Sequence, residues 1–574
     1  MRIRPIVSAV PFVLAAVLAA CGGSAADKSP TPPGGGGSTT AALSSLNVHA
    51  PTSSIAIGGT VQVDASALDR DGNVIGATVT WSSQNDTVAT VAGAGLVTGA
   101  KMGTTLITVT ASAGGVKLSR AIWINVIPQF VGPPPPRNVL VNDPRRSAFL
   151  NIAQFEPTIA VSGSRVVVAW NDESFGDQVI RGINWSVGYG YSSDGGSTFI
   201  EAGELGGSHW GADPTAAVDR AGHFYLARLD LLSGAAGGNA SSPDRIAIYR
   251  STDGGMTFPQ SATVTGNASG GFCCVNDKPT ITIDNTGGLF DGNVYASWTL
   301  AGSNVLKINF VRSTDNGVSY SAPLVLSDGR FDQYSVPAVG PNGEVYVLWV
   351  DGISNTIVIR KSTDQGVTFA PAVSVASLTP IGALVSNTSQ YCGRVLNGSV
   401  RVSSSPMIAI DKSAGPNRGK LYVVFGSGGA GSDMADVFMT TSSDGGAWST
   451  PRRLNDDMTT NDQWLPFVVV APNGKVGVSW YDRRQDPQNL LIDVFMRIST
   501  DGGASFGPNL KITDVSFPPP GLNYKLGFPP YSCYMSSYNY MTADATNFYI
   551  VWTDNRMVSA GVVDPNIMFA KVPH

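Results

Sequence analysis

Apolar and polar residues alternate along this chain in short runs, and each run is cut within a few residues by Gly, Asn, Asp or Pro. That two-residue period predicts strands and turns rather than helices. Between residues 41 and 127 the runs are Ile55-Ala-Ile, Val61-Gln-Val-Asp-Ala, Thr78-Val-Thr-Trp81, Val88-Ala-Thr-Val91, Leu106-Ile-Thr-Val-Thr110 and Ala121-Ile-Trp-Ile-Asn-Val126. So many short strands in so short a segment predict a small β-sandwich. A Pro-rich stretch, residues 128–136, follows, and its prolines predict a stiff linker that holds the next unit away.

From residue 137 to 574 one pattern repeats. Each unit starts with an apolar strand such as Glu156-Pro-Thr-Ile-Ala-Val161, with counterparts at Asp213-Pro214, Lys278-Pro279, Val336-Pro337, Ser405-Pro406 and Leu465-Pro466. A second strand, such as Arg165-Val-Val-Val-Ala-Trp170, a third and a fourth follow. The third and fourth are joined by Tyr191-Ser-Ser-Asp-Gly-Gly-Ser-Thr-Phe199 or a close copy, at Arg250 to Phe258, Arg312 to Tyr320, Lys361 to Phe369, Thr441 to Trp448 and Ile498 to Phe506. In each copy a Ser and an Asp can satisfy the turn's N–H groups, Gly supplies positive φ, and an aromatic anchors the turn.

The motif carboxylates, Asp194, Asp253, Asp315, Asp364, Asp444 and Asp501, are 59, 62, 49, 80 and 57 residues apart. That is too far for a hairpin and right for a β-propeller blade with variable loops. Asn547-Phe-Tyr-Ile-Val-Trp552 and Asn566-Ile-Met-Phe-Ala-Lys-Val572 make a seventh unit that lacks the motif and a fourth strand. Pro136-Arg-Asn-Val-Leu-Val-Asn-Asp143 matches other fourth strands and can complete it, which removes both open edges. The expected fold is therefore all-β: an Ig-like sandwich followed by a propeller closed by an N-terminal strand, with seven blades preferred and six the alternative.

Composition agrees with this reading. Charged residues are 14%, Gly numbers 66 and the net charge is −5, and no basic stripe or finger pattern points to nucleic acid. Residues 1–20, Met1-Arg-Ile-Arg-Pro and then the apolar run Ile6 to Ala20, read as an export signal. Residues 21–40 read as a disordered Gly/Ser/Pro tether.

Three resemblances sharpen these expectations. Leu18-Ala-Ala-Cys21 resembles the lipobox of bacterial lipoproteins, which implies lipidation of Cys21 and an envelope location, at the outer membrane or cell surface, with membrane contact through that anchor alone. Trp81-Ser-Ser-Gln-Asn-Asp-Thr-Val-Ala-Thr-Val91 with Gly95-Leu-Val-Thr-Gly99 resembles bacterial Ig-like group 2 domains, which implies a spacer or adhesive module over 41–127. The repeated Ser-x-Asp-x-Gly motif is similar to the Asp box, or BNR repeat, of sialidase-like propellers. The boxes then mark one face of the ring, and function is expected on the other.

On that other face, second strands end in Asp172, Asp230, Asp351, Asp482 and Asp554, most of them two residues after a Trp. Such an Asp can cap its own loop or line a site. Long loops on the same face bring Trp210, Arg330, Tyr334, Tyr391, Arg394, Trp464 and Tyr534. Cys273, Cys274, Cys392 and Cys533 also fall there, and their even number in an exported chain argues for disulfides, with three complete pairings open. His209 is the only histidine in these loops, so no metal cluster is expected. Calcium could sit in Asn171-Asp-Glu173 or Asp482 to Asp486, although neither spacing is a recognised calcium loop.

Two functions compete. The preferred one is binding of a glycan or other extracellular polymer, with Trp210, Trp464, Tyr534, Asp351, Asp482 and Asp554 as ligand contacts. The alternative is a sialidase-like glycoside hydrolase acting on sialic or another acidic sugar. The family resemblance implies for it an Arg triad from Arg330, Arg394, Arg483 and Arg556, a Tyr nucleophile from Tyr334 or Tyr391, and Asp172 or Asp213 as acid. The family's arginine motif near the first blade is replaced here by Phe155-Glu156-Pro157. Clustered arginines with a Tyr/Glu pair in hydrogen-bond reach would favour hydrolysis, and arginines turned to the rim would oppose it.

Overall fold

The computed structural model describes residues 42–574 except 145–152, 173–185, 207–209, 232–244, 265–274, 303–304, 330, 386–391, 429–432, 521–532 and 560–561. The chain is all-β. From Gln154 onward it forms six four-stranded antiparallel sheets and then a seventh sheet of six strands, three of which come from before Gln154. The first runs Gln154–Ser162, Arg165–Asp172, Ser186–Ser192 and Ile200–Glu204. The seventh pairs Tyr540–Ala543, Asn547–Ser559 and Val562–Pro573 with Asn138–Leu140 as its fourth strand. Residues 400 positions or more upstream of that sheet's own strands thus supply its last edge, and Asn142 fixes the register: its side chain accepts from Ile567 N (2.8 Å) and donates to Asn566 (2.7 Å).

First strands of successive sheets lie against one another, and the first strand of the seventh lies against that of the first. The contacts therefore run in a cycle. Second strands carry the core: Val166 to Trp170, Leu421 to Phe425 and Ile550 to Trp552 are buried at every position. Such runs, apolar on both faces, are what a strand packed between two neighbouring sheets requires.

The six motif copies occupy the turns between third and fourth strands. In the fourth sheet Ser362 Oγ accepts from Gly366 N (2.8 Å) and donates to Asp364 (2.7 Å), while Asp364 takes the N–H and O–H of Thr368 (2.9 and 2.6 Å). These donors hold the Asp364 carboxyl down at about 2, the Thr368 hydroxyl first among them. Because Ser362 is buried, Ser362→Ala leaves a buried N–H without an acceptor and is expected to cost about 1–3 kcal/mol, read as a fall in the denaturant midpoint at unchanged m.

The N-terminal unit holds a sheet of Ser54–Ala56, Val116–Ile127, Gly103–Ala113 and Thr78–Ser83, and a second of Thr60–Gln62, Leu96–Gly99 and Ala89–Val91, around Val48, Val63, Val97, Ile107, Val109 and Ile124. The expectation that it is held away from the following unit is corrected. Its strand Ser45–Ala50 pairs with the end of Asn547–Ser559 (His49 with Ser559, Ala50 with Val558), and Ser53 N donates to Arg556 O at 3.1 Å. The long hairpin of the seventh sheet offers an unpaired edge, and this strand covers it. Phe130 of the Pro-rich stretch meanwhile packs edge-on against Phe495 (6.3 Å between centroids).

A disulfide joins Cys392 to Cys533. It ties an inserted small sheet (Ala383–Leu384, Arg394–Leu396, Val400–Arg401) to the segment leading into the seventh sheet. Cys273 and Cys274 lie outside the described residues.

Candidate active site

Five first strands carry the same irregularity near their starts. Their pairing slips by one residue between Phe155 and Thr158, Ala212 and Thr215, Asp277 and Thr280, Gln333 and Val336, and Trp464 and Phe467. The first residue of each bulge is left-handed: Glu156 (φ 57°), Asp213 (55°), Lys278 (47°), Tyr334 (61°) and Leu465 (50°). None is Gly, and four of the five precede Pro, except Tyr334, which precedes Ser335. Backbone of this kind is strained by about 1–3 kcal/mol per residue and persists where the surroundings over-determine it.

Side chains from neighbouring sheets do the over-determining. Glu156 N donates to Thr553 Oγ1 of the seventh sheet (3.2 Å), Asp213 N to Asn171 Oδ1 of the first (2.7 Å), and Lys278 N to Asp213 Oδ2 of the second (3.2 Å). In these three bulges the N–H freed from the ladder is accepted by the preceding sheet. The outcome is a cluster in which Glu156, Asp213, Asp277 and Lys278 influence one another electrostatically.

Glu156 is buried. Its carboxylate accepts Asn171 Nδ2 (2.8 Å), Ser537 N (2.9 Å) and a short hydrogen bond from the Tyr534 hydroxyl. Burial first, then the nearby Asp213, pushes the Glu156 carboxyl up to about 8. Asp277, partly open to solvent, is pushed up to about 7 by desolvation and by Asp213, with which it shares a hydrogen bond. Tyr534 is fixed from three sides: edge-on by Phe155 (5.2 Å between centroids), by the Arg401 guanidinium 5.0 Å from its ring centroid, and by the disulfide at its neighbour Cys533. Replacing Cys392 and Cys533 together by Ala is expected to cost about 2–4 kcal/mol, measured by thermal unfolding, and to loosen Tyr534.

Lys278 closes the cluster. Its ammonium lies between the rings of Tyr334 and Tyr538, 4.9 and 4.7 Å from their centroids, and burial lowers its pKa.

Of the residues expected from sequence, Asp213, Tyr334 and Tyr534 reach this cluster. The other expectations are corrected as follows. Arg483 is fully buried, donating to Asn489 O and Asn397 O (3.1 and 2.9 Å) and lying 3.5 Å from Asp462, so its guanidinium ties loops together. Arg556 is bound to Asp554, Asp514 and Asn138, and Arg394 to the carbonyls of Ile381 and Gly382. Asp172, Asp482 and Asp554 are buried, each accepting the indole N–H of the Trp two residues before it (2.9, 2.8 and 2.8 Å). Asp351 caps its own turn through Ile353 N and Ser354 N, and Trp464 is a core ring beneath Arg483. Arg330, Tyr391, Cys21 and the side chain of Trp210 lie outside the described residues. Among the described residues no group of three or more His, Cys, Asp or Glu is arranged to hold a metal ion.

Glu156, Asp277, Lys278, Arg401 and Tyr538 were not singled out by sequence. A signal existed for the first and third: Glu156-Pro157, Asp213-Pro214 and Lys278-Pro279 place a charged residue before Pro at the same point of three successive units.

Comparison with known proteins adds the following. Residues 42–121 match the bacterial Ig-like domain (group 2) family. The N-terminal unit has the sequence of such a domain. No curated protein matches the chain. Among solved structures, a leech intramolecular trans-sialidase is 11% identical with a TM-score of 0.43, covering 78% of this chain and 90% of that one. An α-L-arabinofuranosidase of Fusarium graminearum is 13% identical with a TM-score of 0.39, covering 77% and 98%. A protein of unknown function from Dyadobacter fermentans is 16% identical with a TM-score of 0.38, covering 60% and 93%. Similarity this low transfers neither residues nor activity.

Proposed function

We propose that the seven sheets are the blades of a closed propeller and that the cluster on the face away from the repeated motifs hydrolyses glycosidic bonds. The observation that carries this reading is the Tyr534 hydroxyl bonded to the buried Glu156 carboxylate, with Asp277, whose carboxyl is pushed up to about 7, in the same cluster. In such a site the ionised form of Glu156 removes the phenolic proton as Tyr534 attacks the anomeric carbon and Asp277, beside Asp213, protonates the departing oxygen; water then attacks the anomeric carbon, giving a proton to Asp277 while Glu156 returns its proton to the leaving Tyr534 oxygen. The protein is anchored through Cys21 in the cell envelope and meets its glycan outside the cytoplasm.

Binding without turnover is the second reading, and one observation favours it: Arg394, Arg483 and Arg556 are all committed to bonds within the fold. The two part on a leaving-group test. Asp277→Asn is expected to lose most turnover of alkyl-linked or sugar-linked substrates while keeping much of it on aryl glycosides, whose leaving groups need no proton. Failure of the unaltered protein to cleave either kind would leave binding as the function.

A further inference from the structure

The second strand of the seventh sheet, Asn547–Ser559, has 13 residues where the corresponding strands of the other six sheets have 7 to 9, and it pairs to its end with Val562–Pro573. Residues 557–559 and 562–564 therefore make a two-stranded arm that the other sheets lack. The ladder breaks where the arm begins: pairing slips between Asp554 and Met557, opposite Pro565, which has no N–H to give. There the Arg556 carbonyl accepts Ser53 N (3.1 Å) from the N-terminal unit, and His49 and Ala50 pair with Ser559 and Val558. A two-stranded ribbon is marginal in water by itself, and a third strand gives it the support it needs.

The returning strand of the arm meets the site. Val563, paired with Val558, packs against the buried cluster of Ala153, Phe155 and Tyr534. Phe155 is the ring that holds Tyr534 edge-on, and Thr553, which accepts Glu156 N, stands on the arm's outgoing strand three residues before Arg556. Contacts thus run without a gap from Ala50 through Val558 and Val563 to Tyr534. Resting on the hydrolase reading above, we infer that Val563 is a positioning residue for Tyr534 and that the Ig-like unit holds the arm in place, so that this unit is a working part of the site and not a spacer alone. A chain of packed residues carries such coupling when its far end can give way.

The test pairs hydrogen exchange with kinetics on the full chain and two variants. Val563→Ala withdraws the contact with Tyr534 and keeps every backbone bond of the arm; Ser53→Pro removes the N–H that Arg556 accepts. Exchange over residues 534–538, where Ser537 N donates to Glu156, is expected to quicken about 10-fold or more in both, while the buried strand Leu421–Ser427 stays as slow as in the parent. On a glycan that the parent cleaves, kcat is expected to fall about 10-fold or more with KM little changed. The rise of kcat with pH should also move upward, because the Tyr534 hydrogen bond is among the interactions that hold the Glu156 carboxyl down and Glu156 acts ionised. A purely structural role would lower kcat equally at every pH. Unchanged exchange over residues 534–538 in both variants overturns the coupling, whatever the turnover. A change in Val563→Ala alone supports the positioning role of Val563 and overturns that of the Ig-like unit. A parent that cleaves no glycan sinks the hydrolase reading alone, since exchange still decides the coupling.

Discussion

Glu156→Gln is expected to reduce glycosidic turnover by about 10²–10⁴-fold while leaving the protein folded. The amide keeps the shape and can still accept from Ser537 N and the Tyr534 hydroxyl, but it can take no proton from Tyr534. The same substitution should change how stability depends on pH. The Glu156 carboxyl sits near 8 in the folded protein against 4.5 as its ordinary value. Between those limits the native state binds more protons than the unfolded one, so this group's contribution is full below about 4.5 and is lost as pH rises through about 8. Asp277 acts in the same direction between 3.8 and about 7. Stability of the unaltered protein should therefore fall from pH 5 to pH 8 through these two groups, with a limiting slope of about 1.4 kcal/mol per pH unit for each. Glu156→Gln should make that fall shallower, and denaturant titrations at several pH values would read it.

The closing strand carries the second large effect. Replacing Asn138 to Asn142 by an equal length of Gly and Ser removes the pairing of Asn138, Val139 and Leu140 with Ala570, Phe569 and Met568. It also takes away buried Val141 and both Asn142 bonds to the seventh sheet. Loss of about two buried apolar side chains and several hydrogen bonds amounts to about 5 kcal/mol. An unpaired edge is opened at Val562–Pro573 as well, so aggregation should appear together with the lower melting temperature. Because the seventh sheet and the segment just before it supply Thr553 and Tyr538 to the Glu156–Lys278 cluster, activity should fall with stability. A melting temperature within a degree or two of the parent would mean that this strand contributes little.

The strands, their order and the motif turns were legible in the sequence because they rest on local rules: two-residue alternation, Gly at positive φ, and a Ser and Asp aimed at their own turn. Even the distant fourth strand of the last sheet could be read, since Pro136 to Asp143 repeats the pattern of other fourth strands. The site was legible only in part. Asp213, Tyr334 and Tyr534 were picked out as polar or aromatic residues near the right loops, whereas Arg483, Asp482 and Asp554 looked equally suitable and turned inward, Arg483 to backbone carbonyls and Asp462, the two aspartates to the core indoles and the arginines next along the chain. Direction decided this, and direction is set by bulges and by neighbouring sheets remote in sequence, such as Thr553 holding Glu156. The link between the sandwich and the seventh sheet escaped notice for a similar reason: nothing in residues 45–50 marks which edge they will meet.

Reducing-end release from a panel of extracellular glycans, followed for the unaltered protein and Glu156→Gln side by side, tests the central claim most directly. Release from at least one glycan by the parent, with little or none from the variant, is the predicted result. Equal release by both, or none by the parent on any glycan of the panel, would contradict a catalytic role for the Glu156 cluster.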